Sequence, residues 1–162
     1  MDDPFRLKRF IDAQETAFFT AIEELRAGRK RTHWMWFIFP QFAGLGYSKP
    51  SRYYAINSED EARAYLQSPI LGSRLKSTTC IVNSLVGHKL SDIFGTPDDA
   101  KFCSSMTLFE RVAMSDKNPY REAIDRFCSG QRDQRTLSLI ESAGRDVNSY
   151  KGAPGTSGRP AN

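Results

Sequence analysis

Histidine and cysteine are scarce in this chain. His33 and His88 are its two histidines, and Cys80, Cys103 and Cys128 its three cysteines, among 162 residues. Two histidines do not supply a His-rich metal site. The cysteines stand more than 20 residues apart with no Cys-x-x-Cys pair, so neither a zinc centre nor a disulfide framework is suggested, and buried, reduced thiols are expected. Long apolar runs are also missing. None approaches the roughly 20 residues that span a bilayer, and Met1-Asp2-Asp3-Pro4 is acidic where a secretory signal would be basic. The expectation is a cytoplasmic protein with no membrane partner.

Motifs that specify a reaction are lacking as well. There is no nucleophile elbow, metalloprotease helix, kinase signature or DNA-reading helix-turn-helix, and Gly44-Leu45-Gly46-Tyr47-Ser48 has neither Walker A nor dinucleotide-fingerprint spacing. No cofactor is implied. The sequence therefore leaves open whether the protein is an enzyme.

What is present is a chain long enough for one domain with a real core. Its formal charge of +4 is mild, permitting an anionic partner without requiring one. Asp3 with Pro4 opens a helical pattern through Leu7, Phe10, Ile11, Phe18, Ala21, Ile22 and Leu25, which Gly28 ends. Ser68-Pro69, Thr96-Pro97 and Asn118-Pro119 each set a capping residue before proline. The first precedes Ile70, Leu71, Leu75, Thr79, Val82 and Val86, stopped by Gly87; the second precedes Phe102, Met106, Phe109 and Val112; the third precedes Tyr120, Ala123, Ile124 and Phe127, stopped by Gly130. Ser58 and Glu61 form a capping box for a shorter helix to about Gln67, and Asp133 caps a last one ended by Gly144. From 146 to 162, glycine, proline and small polar residues predict a disordered tail. The fold class predicted is all-α: a single multihelical domain over 1–145 with five to seven helices.

Both tryptophans lie in Thr32-His33-Trp34-Met35-Trp36-Phe37-Ile38-Phe39-Pro40-Gln41, directly after Arg29-Lys30-Arg31. Such composition favours a strand, yet no other segment alternates as a pairing partner would. A short helix capped by Thr32 is predicted, with an extended buried loop as the alternative. Trp34, Phe37 and Ile38 would face the core, leaving His33 and Trp36 at an edge.

That edge is the candidate site. Arg31 and Arg52 would hold an anion, His33, Trp36 and Gln41 would contact a nucleotide-like ring, and Ser104, Ser105 and Thr107 would orient the ligand. The three hydroxyls in mid-helix suit close approach of another helix equally well. His33 is the one credible acid or base there. A module that binds a protein without chemistry is the alternative, and weak nucleic-acid binding through Arg29-Lys30-Arg31 a third reading, which the helix dipole explains without any ligand. Asp98 and Asp99 read as dipole partners.

Two segments carry a resemblance. Arg31 to Gln41, and Ile93-Phe94-Gly95-Thr96-Pro97-Asp98-Asp99 continuing to Lys101 and Ser104-Ser105-Met106-Thr107-Leu108-Phe109, resemble the signatures of the domain of unknown function 1810 family. The similarity runs from about Asp3 to Ile140, with Glu61-Ala62-Arg63-Ala64-Tyr65-Leu66 and Pro69-Ile70-Leu71-Gly72. It implies a small, soluble, multihelical protein and no particular activity.

Overall fold

The computed structural model describes residues 2–151, with side chains described as far as 146. Its helices are α1 Lys8–Arg26, α2 Met35–Ile38, α3 Lys49–Tyr53, α4 Glu59–Gln67, α5 Leu71–Asn83, α6 Leu90–Phe94, α7 Asp98–Val112, α8 Pro119–Phe127 and α9 Gln134–Lys151. The all-α prediction holds, with more helices among the described residues than expected. The extra ones, α3 and α6, are single turns within connections, too short to show an amphipathic stripe. Pairing of strand type is confined, among those residues, to an isolated bridge between Phe42 and Ile56.

The caps explain the long helices. Ser58 and Asn118 accept from the backbone N–H groups of Glu61 and Arg121, and Ser68 accepts from Leu71. Asp3 also caps, accepting from Leu7 at 2.7 Å and Lys8 at 2.9 Å. It does so across a turn in which Arg6 is left-handed, so α1 begins at Lys8 and not at Pro4. α5 ends at Asn83, four residues before Gly87, which leaves Val86 off the helix face and exposed. α9 continues through Gly144 to Lys151, where a stop was expected. Of the predicted tail, 152–162 lies outside the described residues.

α7 is the central helix, packed against α4, α6, α8 and α9. Phe102, Met106, Phe109 and Val112 are buried as its pattern predicts, and so are Ser104, Ser105, Thr107 and Leu108. α5 is the second centre, touching α1, α2, α4 and α8, so the α2 segment is enclosed by α1 and α5. Fully burying each such aromatic or aliphatic side chain contributes about 1.5–3 kcal/mol.

Two buried polar groups tie connections to this frame. The Arg9 guanidinium pairs with Glu61 at 2.9 Å and donates to the carbonyls of Phe5, Arg6, Tyr53 and Ala55, closing the 49–55 connection onto α1. Gln14 donates to the Phe37 carbonyl and the Tyr65 hydroxyl, holding the end of α2. Burial pushes the Tyr65 phenol far above its usual range, so it stays neutral.

The cysteines correct the sequence reading. Cys103 in α7 and Cys128 after α8 form a disulfide, and Cys80 is free and exposed on α5. Their separation of 25 residues in sequence gave no hint that α8 returns antiparallel-fashion to α7 and brings their Cα atoms to 6.0 Å.

Candidate functional site

The turn between α1 and α2 is built from its acceptors outward. Gly28 reverses the chain at φ +76°, and the His88 ring lies against it, 2.8 Å from where a β-carbon would stand. The Glu24 carboxylate then accepts four hydrogen bonds: from the backbone N–H of Arg31 (2.5 Å) and Thr32 (2.8 Å), the Thr32 hydroxyl (2.6 Å) and the Trp34 indole (3.1 Å). Burial alone would push this carboxyl up, yet the donors together hold it below the ordinary range. Thr32 is thus engaged by Glu24 and does not cap α2, whose single turn starts at Met35.

Lys30 joins this turn to the second signature segment. Its backbone N–H donates to the Ile93 carbonyl at 2.6 Å, its ammonium lies 3.0 Å from Asp98, and the same ammonium stands 5.2 Å over the Trp34 ring. Beneath it Trp34 packs edge-on to Phe94, and Phe94 stacks on Phe102 with centroids 4.9 Å apart. Asp98 also pairs with Lys101, and Asp99 accepts from the Thr96 hydroxyl. The aromatic bulk of the 32–41 segment is therefore core: Trp34, Met35, Phe37, Ile38 and Phe39 are all buried.

Above the Lys30–Ile93 junction lies a polar cleft of about 580 Å³, lined by Ala27–Lys30 on one side and Ser91, Asp92, Phe94 and Gly95 on the other. The two signature segments meet here. Lys30 is neutralised by Asp98, whereas the side chains of Arg29 and Asp92 have no ion pair within the described protein.

The predicted site residues separate into groups. Arg31 and His33 are exposed on the Glu24-held turn, and the His33 ring sits 6.5 Å from that of half-buried Trp36. Gln41 lies past Pro40, where its carbonyl accepts from Ile56, and Arg52 is exposed at the end of α3. Ser104, Ser105 and Thr107 are buried. Ser104 donates to Asp133 at 3.1 Å, and Thr107 accepts from the Asp133 backbone at 2.9 Å while Asp133 caps α9. These hydroxyls serve helix approach and hold the start of α9. The Ser105 hydroxyl has no partner in the protein.

Arg29, His88, Ser91 and Asp92 around the cleft were not singled out as site residues by sequence reasoning. Arg29 showed only as one member of a basic run, and nothing local to α6 announces that it faces residues 27–30. A wider depression of about 830 Å³ between α5 and α8, with Cys80, Lys76, Arg121 and Asp125 on its walls, lies away from both segments. No group of three or more His, Cys, Asp or Glu among the described residues is placed to hold a metal, and no described helix is long and apolar enough to cross a membrane.

Among the described residues, fold and cleft define a small all-helical protein with a polar surface cleft where its two aromatic-rich segments join. The chain belongs to the family described as "Protein of unknown function (DUF1810)", whose model matches residues 4–140. A solved structure similar to it, the conserved hypothetical protein Rv1873 from Mycobacterium tuberculosis, is 49% identical, covers 86% of this chain and 99% of its own, and superposes with a TM-score of 0.82. A search among curated proteins finds no match.

Proposed function

We propose that this protein binds a small anionic, phosphate-bearing or nucleotide-like ligand on the face made by the α1–α2 turn and α6. One observation carries the reading. The turn is clamped from inside by Glu24 and by the Lys30–Asp98 pair, while the side chains of Arg29, Arg31 and His33 on that same turn make no hydrogen bond or ion pair with the described residues. A backbone held rigid with uncommitted cations is preorganised for an anion, because little ordering remains to be done on binding. Arg29 at the cleft and Arg31 beside it hold the anion, His33 and Trp36 offer ring surface, and Ser91 and Asp92 face ligand hydroxyls or amines. Gln41 and Arg52 lie further along the surface, and Ser104, Ser105 and Thr107 are engaged or buried under α9, so the reading does without them. Pairing of Lys30 leaves two free cations in the basic run, which suits a small anion better than a nucleic-acid backbone.

Thermal unfolding with inorganic phosphate and with nucleoside mono-, di- and triphosphates tests this. A ligand at about a hundred times its Kd adds about 2.7 kcal/mol of stability. The expected result is a concentration-dependent rise in Tm that Arg29→Ala with Arg31→Ala removes without lowering the Tm of the free protein. Absence of a shift with every one of these compounds overturns the proposal and favours a protein-interaction module.

A further inference from the structure

We infer that the Cys103–Cys128 disulfide is a reversible thiol switch, whose reduction loosens the end of α8 and the first turn of α6. Its consequence for ligand binding rests on the reading of the cleft above; the switch itself does not.

The bridge is placed where fold maintenance does not call for it. α8 is already anchored by buried Tyr120, Ala123 and Ile124, and Arg126 donates to the Asn83 carbonyl at 2.8 Å. A chain of 162 residues with a core of this extent folds without a covalent staple. Both cysteines are only partly buried. Cys103 forms part of a shallow cleft of about 340 Å³ with Asp99 and Ala100 of α7, Leu90 and Ser91 of α6, and Phe127 of α8. Cys103 thus borders a solvent-open cleft from which a small thiol can approach the bridge.

The same cleft shows what the bridge holds. Phe127 immediately precedes Cys128, so the bond to α7 holds Phe127 in the wall of the cleft that Leu90 also lines. Ser129 follows at φ +56° and Gly130 at +66°, and a non-glycine residue in the left-handed region relaxes unless its neighbours hold it. Ser91 lines this cleft and the polar cleft as well, so one turn of α6 borders both. Releasing Cys128 frees Phe127, removes cover from Leu90 and lets Ser91 move.

The chemistry balances with a low-molecular-weight thiol as reductant. Its thiolate attacks one bridge sulfur, forming a mixed disulfide and a protein thiolate that takes up a proton. A second thiol displaces the first as a small disulfide and leaves the other cysteine as a thiol. Two electrons pass to the protein and two thiols are oxidised. In a reducing compartment such bonds serve as sensors more often than as staples.

Hydrogen exchange on the full chain, oxidised and after treatment with dithiothreitol, tests the switch. Peptide mapping under non-reducing conditions first establishes that the oxidised chain carries the bridge, and an unbridged Cys103 there overturns the inference. On reduction, amides of residues 89–92 and 126–131 are expected to exchange about tenfold faster while those of α1, α4 and α5 are unchanged. The variant with Cys103→Ala and Cys128→Ala is expected to show the fast pattern with and without reductant. Equal acceleration in every helix makes the bond a general staple, and no acceleration makes it inert; either result overturns the inference. Inorganic phosphate and adenosine monophosphate then serve as probes on both forms, with weaker binding expected after reduction. If neither probe binds either form, the ligand reading fails while the exchange result still decides the switch.

Discussion

The Lys30 ammonium and the Asp98 carboxylate lie 3.0 Å apart, both largely screened from water, and join the turn after α1 to the first turn of α7. They are 68 positions apart in the chain, yet this pair ties Lys30, which lines the polar cleft, to α7. Lys30 is additionally seated over Trp34, so its charge has an aromatic face below and a carboxylate beside it.

The two partners are not equivalent when removed. Asp98→Asn leaves a largely buried ammonium over Trp34 without its counter-charge and should cost about 2 kcal/mol or more in urea denaturation. Lys30→Met costs less, because Asp98 keeps Lys101 and the positive end of α7. The reverse order would show that the pair is not what stabilises the junction. Lys30→Met combined with Asp98→Leu is expected to cost less than the sum of the separate changes.

Glu24 gives the junction a pH dependence. Its folded pKa is depressed below 4.5, so its stabilising contribution is present above that value and is lost as pH falls through the folded pKa. Stability should therefore decline on acidification below about pH 4.5, partly through this group. Glu24→Gln removes the charge that four donors face and should lower stability by about 1–3 kcal/mol near neutral pH while flattening the acid decline. Urea midpoints followed across pH for both proteins check it, and an identical acid decline in the variant would count against this role.

Gly72 is a case in which helix propensity and packing disagree. Alanine is a better helix former by about 1 kcal/mol, yet a β-carbon here would stand 2.1 Å from the Leu66 carbonyl oxygen, a backbone atom. Packing decides the sign, and Gly72→Ala should destabilise by about 1–3 kcal/mol, with exposed Ser73→Ala close to neutral as the control. A stabilised Gly72→Ala protein would mean that α4 and α5 separate freely.

Much of the fold was legible because its signals are local. Ser58, Asn118 and Asp133 cap helices where they stand, Gly28 ends α1 by its own φ, and apolar spacing marks the buried face of α7. The one-turn helices α3 and α6 escaped, since a single turn has no periodicity. Val86 was placed in a stripe that ends before reaching it, because a hydrophobic pattern does not show where the last hydrogen bond is made. At the site, His33 was expected at the edge of a helix and is exposed, yet it stands in the turn before α2 and not within it. Arg29, Ser91 and Asp92 were not legible, because their proximity comes from α6 folding back on the turn.

The sequence by itself determined that this is an all-helical chain with its aromatic bulk concentrated beside a basic run, since caps, spacing and composition act over one or two turns. The tertiary structure decided everything that depends on distant partners. Glu24 takes the donors of Thr32 and Trp34, Lys30 is consumed by Asp98, Ser104 and Thr107 hold α9, and Cys103 meets Cys128. Each is settled by which surfaces pack together, because a hydrogen bond, an ion pair or a disulfide forms only where burial of the core has already brought its two ends within reach.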